Sequence, residues 1–87
     1  MKVLAKEIEM LASFQRRGQI RPHRFRVAGE DGREEVIQVE KILQTEETRL
    51  AGVRALVFTC QSVIRGLQRR YELKYRVEEH RWELYKM

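Results

Sequence analysis

The chain of 87 residues carries 18 Lys and Arg against 13 Asp and Glu, a formal net charge of +5, with 43% hydrophobic residues and a single cysteine. That length suits one small domain with a thin core, spanning residues 1–87. Val, Ile, Leu and aromatic residues recur throughout, although charged residues make up 36% of the chain, which excludes the composition of a disordered segment. The longest uncharged run, Ala55 to Ile64, is ten residues, against the roughly 20 apolar residues of a membrane-spanning helix.

Residues 1–15 read as a first strand, in which Ile8, Met10, Ala12 and Phe14 alternate with Glu9, Leu11 and Ser13. Leu4, Ile8 and Leu11 equally fit one helix face, so both readings stand. Lys2, Lys6, Glu7 and Glu9 interrupt any apolar stretch of a secretory signal. Arg17-Gly18-Gln19 supplies a turn, and Pro22, lacking an N–H, suits an edge or a strand start.

A hairpin region follows over residues 20–43. Arg24-Phe25-Arg26-Val27 alternates, Gly29-Glu30-Asp31-Gly32 provides turn chemistry, and Val36-Ile37-Gln38-Val39-Glu40 alternates again. A loop centred on Gly32 would set Val27 opposite Ile37 and Phe25 opposite Val39. Gln44 to Gly52 reads as a polar connection.

Residues 53–86 read as a three-stranded meander. Val53 to Ile64 is apolar on both parities, and Leu50, Val53, Val57, Cys60, Ile64 and Leu67 also fit a helical heptad. Its β-branched residues, Gly66 and the missing capping box favour a strand. A tight turn at Arg65-Gly66 then sets Leu56 opposite Tyr75, Phe58 opposite Leu73, Cys60 opposite Tyr71 and Ile64 opposite Leu67. Leu67 to Val77 alternates cleanly, with Tyr71, Leu73 and Tyr75 on one face and Arg70, Glu72 and Lys74 on the other. After Glu78-Glu79-His80, the run Arg81 to Tyr85 pairs back with Tyr75 opposite Trp82, Leu73 opposite Leu84 and Lys74 opposite Glu83. About six strands spaced by turns predict an all-β fold, a small antiparallel barrel or strongly curled sheet.

Site chemistry is sparse. His23, Cys60 and His80 lie twenty or more residues apart, without metal-ligand spacing. Cys60 falls on the core face, where a thiol is reduced and inert, which fits a cytoplasmic location. Gly29-x-x-Gly32 lacks the third glycine and following helix of a dinucleotide loop. The doublets Glu34-Glu35, Glu46-Glu47 and Glu78-Glu79 lie in or beside predicted turns and point to opposite faces on a strand, a poor arrangement for an acid–base pair. No catalytic residue, metal or cofactor is expected.

Charge is segregated instead. Residues 1–28 hold seven basic and two acidic groups, 29–48 two and seven, and 49–87 nine and four. Thirteen of the cations are arginine, and Arg16, Arg17, Arg21, Arg24 and Arg26 crowd eleven residues without an acid. Guanidinium groups suit phosphate and carboxylate alike. Arg24 and Arg26 share a predicted face, with the other three around the preceding turn, so these five are candidate nucleic-acid contacts. Against this, Phe25, Phe58, Tyr71, Tyr75 and Trp82 are all assigned to the core, leaving only Tyr85 to stack on bases.

The segment Cys60-Gln61-Ser62-Val63-Ile64-x-Gly66, followed by Arg70-Tyr71-Glu72-Leu73-Lys74-Tyr75 and Trp82-x-Leu84, together with Ile20-x-Pro22-x-x-Phe25-Arg26 before Ile37-x-Val39, resembles a group of small uncharacterised proteins from anaerobic Gram-positive bacteria. The resemblance covers roughly residues 18–85 and implies a compact all-β fold, with no activity, substrate or catalytic residue to carry over. The expected function is a non-catalytic binding or structural module of the bacterial cytosol acting through a protein partner. Non-specific nucleic-acid binding through the arginine face is the alternative. The outer stripe Val53, Ala55 and Val57 is a candidate homodimer surface unless the stems of Arg70 and Lys74 cover it.

Overall fold

The computed structural model describes residues 1–87 as seven antiparallel strands and no helix. They are β1 (Val3–Phe14), β2 (Ile20–Ala28), β3 (Glu34–Gln38), β4 (Lys41–Leu50), β5 (Val53–Ile64), β6 (Leu67–Arg76) and β7 (Arg81–Lys86). All belong to one sheet in the order β3-β2-β1-β7-β6-β5-β4. The two edge strands, β3 and β4, are consecutive in the chain and separated only by Val39 and Glu40. The sheet therefore curls into a half-barrel whose edges are joined by a two-residue bend.

Side chains replace ladder hydrogen bonds at that bend. Val39 N–H still donates to His23 O at 2.8 Å, extending the β2–β3 ladder, whereas Lys41 is already opposite Gln61 on β5. Between them, Ser62 Oγ donates to Gln38 O at 2.6 Å and accepts from Glu40 N–H at 3.2 Å, while Glu40 Oε1 accepts from Val63 N–H at 3.1 Å.

The inner face holds the core: Phe25, Val27, Ile37, Phe58, Cys60, Tyr71, Leu73, Tyr75, Trp82 and Leu84. The clean alternation along β6 dictates this. The β5–β6 register sets Leu56 opposite Tyr75, Phe58 opposite Leu73, Cys60 opposite Tyr71 and Ile64 opposite Leu67, and the β6–β7 register sets Tyr75 opposite Trp82 and Leu73 opposite Leu84, as the sequence predicts. Aromatic contacts fill the middle, with Tyr75 and Trp82 rings 4.8 Å apart and Phe58 and Trp82 rings 5.5 Å apart. On the outer face Ala55, between Thr48 and Arg76, is buried and Val57, opposite Lys74, is half-buried.

Two details correct the sequence reading, and a third settles an alternative it left open. Residues 44–50 are strand rather than connection, paired with β5 through a two-residue turn in which Ala51 (φ 52°) and Gly52 (φ 82°) are both left-handed. The β2–β3 register sets Phe25 opposite Ile37 and Val27 opposite Glu35, two residues short of the expected pairing. The cause is a tighter loop: Gly29 N–H donates to Arg33 O at 2.7 Å, and Asp31 Oδ1 accepts from Arg33 N–H at 3.0 Å. A shift of two preserves parity, so Phe25, Val27 and Ile37 still face inward. Finally, residues 1–15 resolve as strand, without the helix.

Candidate functional site

The outer face of β1–β3 gathers the arginines. Arg24 lies between Leu11 and Gln38, and Arg26 between Glu9 and Val36. Strict alternation would turn Arg21 away from them, but β2 bulges at His23, shifting the register between Leu11 and Ala12. Pro22 is thus buried while Arg21, Arg24 and Arg26 are all exposed on one side. Arg16 and Arg17 sit in the β1–β2 turn, where Gln15 N–H donates to Gln19 O at 2.7 Å and Gly18 adopts φ 78°. Arg21, Arg24 and Arg26 thus share one face, and Arg16 and Arg17 lie in the turn Arg16-Arg17-Gly18 beyond its end.

The five arginines differ electrostatically. Arg26 is held between Glu9 and Glu34, with nitrogen–oxygen distances of 3.6 Å to each. Arg16, Arg17, Arg21 and Arg24 form no ion pair. Leu11 beside Arg24 and Val36 beside Arg26, 55% and 59% exposed, line with Glu9 and these two arginines an open cleft of about 440 Å³. The aromatic residues assigned to the core are buried there, and Tyr85 is half-buried with Lys74 Nζ 4.5 Å and Lys86 Nζ 5.4 Å from its ring centroid. Phe14, which the alternation places inward, is 66% exposed because β1 ends there; its ring meets Tyr75 edge-on at 6.4 Å.

The bulge also makes a contact that sequence spacing does not show: Ser13 Oγ lies 2.8 Å from His23 Nε2. No carboxylate hydrogen-bonds the other ring nitrogen, so the pair lacks the third group that orients a catalytic histidine. His80 Nδ1 is 3.2 Å from Tyr75 Oη. Cys60 is fully buried, and burial pushes its thiol up to about 12; such a thiol is not a nucleophile at neutral pH. No group of three or more His, Cys, Asp and Glu residues is placed to hold a metal. No helix is long and apolar enough to cross a membrane.

No family model, curated protein or solved structure matches the chain.

Proposed function

We propose that the protein is a non-catalytic binding module of the bacterial cytosol that takes an acidic protein partner on the outer face of β1–β3. The observation that carries this reading is the arrangement around Leu11 and Val36: two exposed aliphatic side chains, on β1 and β3, that flank Arg24 and Arg26 on β2 between them. Arginine beside aliphatic surface is the composition of a protein interface, in which the apolar side chains supply burial and the guanidinium groups fix an acidic partner's orientation. Glu9 and Glu34 stand on the same face and neutralise Arg26, which favours a partner of mixed side chains over a uniform polyanion. The test is copurification of a defined polypeptide with the native protein at low salt. A clean monomer in unsalted lysate counts against it.

Non-specific nucleic-acid binding is the second reading, favoured by the four arginines without an acidic partner, Arg16, Arg17, Arg21 and Arg24. Fluorescence anisotropy with labelled single- and double-stranded DNA and RNA across a salt series tests it. Binding with a steep salt slope that weakens when these arginines become glutamine supports it; unchanged binding in that variant overturns it.

A further inference from the structure

At the end of the half-barrel away from the arginine turn, the inner face opens. This end is formed by the start of β1, the β2–β3 loop, the Arg65-Gly66 turn and the last residues of the chain, which are tied back by Lys2 N–H donating to Met87 O at 2.8 Å. The aromatic residues fill the middle of the barrel and leave this end aliphatic. Leu4, Val27, Ile37, Ile64, Leu84 and Met87 line a cleft of about 730 Å³, within the range of small-ligand sites, which recur at barrel mouths.

The inner row of β1 explains the polarity of the cleft. Ile8 faces inward opposite Trp82, and one step further out Lys6 stands opposite the buried Leu84. Lys6 thus occupies an inward position, where its ammonium group donates to Ala28 O at 3.3 Å and keeps two protons free. The bulge that places it there includes Ala5 in a left-handed conformation, φ 48°, which is strained for a residue with a side chain. Lys2 and Arg69 join Lys6 around the cleft, and none of the three has a carboxylate partner. Of the three acids on the same wall, Glu35 is engaged by Arg65 and Asp31 by Arg33, which leaves Glu30 as the one unpaired carboxylate against the three cations.

We propose that this mouth binds a monomeric medium-chain carboxylate, its head held by Lys6 with Lys2 and Arg69, and its chain laid on Leu4, Ile37, Ile64 and Leu84. The site goes beyond the partner surface proposed above and lies on the inner side of the sheet, whereas Leu11 and Val36 are on the outer face. An aliphatic floor gives burial without direction; the three unpaired cations give the head its place and sign. A neutral chain would leave these cations unmatched, and an inorganic anion would leave the floor wet.

The experiment is a titration of the full chain with dodecanoate below its micelle-forming concentration, followed by thermal melting and by methyl NMR. Dodecanoate raises the melting temperature and shifts the methyl signals of Leu4, Ile37, Ile64 and Leu84, leaving those of Leu11 and Val36 in place. Dodecanol and acetate bind at least tenfold more weakly. Lys6→Met, which keeps the aliphatic stem, weakens dodecanoate at least tenfold, and Arg69→Gln, on the exposed rim, weakens it less. Equal binding of dodecanol and dodecanoate, undiminished binding by Lys6→Met with an unchanged amide spectrum, or shifts centred on Leu11 and Val36 would each overturn the proposal. So would binding only to phosphatidylglycerol vesicles, which would assign the cations to a membrane surface.

Discussion

The Ser62 hydroxyl and the Tyr71 phenol lie 2.6 Å apart, both buried, at the point where the curled sheet joins its own edges. Ser62 carries one hydroxyl proton and gives it to Gln38 O, so the Tyr71 hydroxyl is the donor to Ser62 Oγ. One small side chain therefore serves β3, the β3–β4 bend and β6 together.

Ser62→Ala removes all three contacts and leaves the Tyr71 hydroxyl and the Gln38 carbonyl without partners. A buried polar group left unsatisfied costs about 1–3 kcal/mol, so this variant is destabilised by about 2–4 kcal/mol in urea unfolding. Tyr71→Phe leaves Ser62 bonded to Gln38 O and Glu40 N–H, and loses less, about 1 kcal/mol. A larger loss for Tyr71→Phe than for Ser62→Ala contradicts the network as described.

The same region titrates at high pH. Burial pushes Tyr71 up to about 12, with the charges of Cys60 and Glu40 adding and the Ser62 hydrogen bond opposing, and burial pushes Cys60 up to about 12 from 9.0. In the unfolded chain these groups ionise first, so the native state holds more protons between the two sets of values. The stability contributed by these two groups is fully present below pH 9, falls as pH rises through that window, and is gone by pH 12, with a slope of about 1.4 kcal/mol per pH unit for each group. Cys60→Ala delays the onset toward the ordinary tyrosine value of 10.0. An unfolding free energy that stays flat from pH 9 to 12 is the contrary result.

Ala51 occupies the first central position of the β4–β5 turn with φ 52°, a conformation that Asn adopts at lower cost. Ala51→Asn raises stability by about 1 kcal/mol in chemical denaturation. No gain, or a loss, shows that the turn is not of this type.

β4 is one of the two edges of the sheet, and it carries Lys41, Glu46, Glu47 and Arg49. Charges on an edge oppose pairing with another chain. Replacing Gln44 and Glu46, which lie outward beside Thr59 and Val57, by Ile increases self-association at equal concentration, measured by light scattering. Unchanged mass in the double variant contradicts this role.

The parts of the fold that the sequence reveals are those whose two faces differ chemically. From Tyr71 to Arg76 one face is buried and the other more open to solvent, so a single register satisfies both, and the turn glycine at Gly66 fixes it. β4 lacks that contrast. Its inward Thr45 and Glu47 sit opposite Phe58 and Leu56, and Glu47 Oε1 accepts from Arg54 Nε at 2.6 Å rather than joining the core, so its alternation is polar against polar. The arginine cluster is legible as composition, but not the bulge at His23 that turns Arg21 beside Arg24 and sets His23 against Ser13. Bulges arise from the partner strand, which a linear pattern does not contain. Lys6 is likewise silent in sequence: it reads only as one of the charges that interrupt an apolar stretch near the N-terminus, and becomes informative once its register opposite Leu84 places it at the mouth.

The central claim is that the Leu11–Val36 face recruits a protein. It is tested most directly by capture from native lysate with the tagged chain and with a Leu11→Asp, Arg24→Glu variant of the same surface, both verified as folded by circular dichroism. The account predicts one stoichiometric polypeptide with an acidic surface, retained by the wild type at low salt and lost by the variant. Equal retention by both, or nucleic acid as the only captured species, would contradict it.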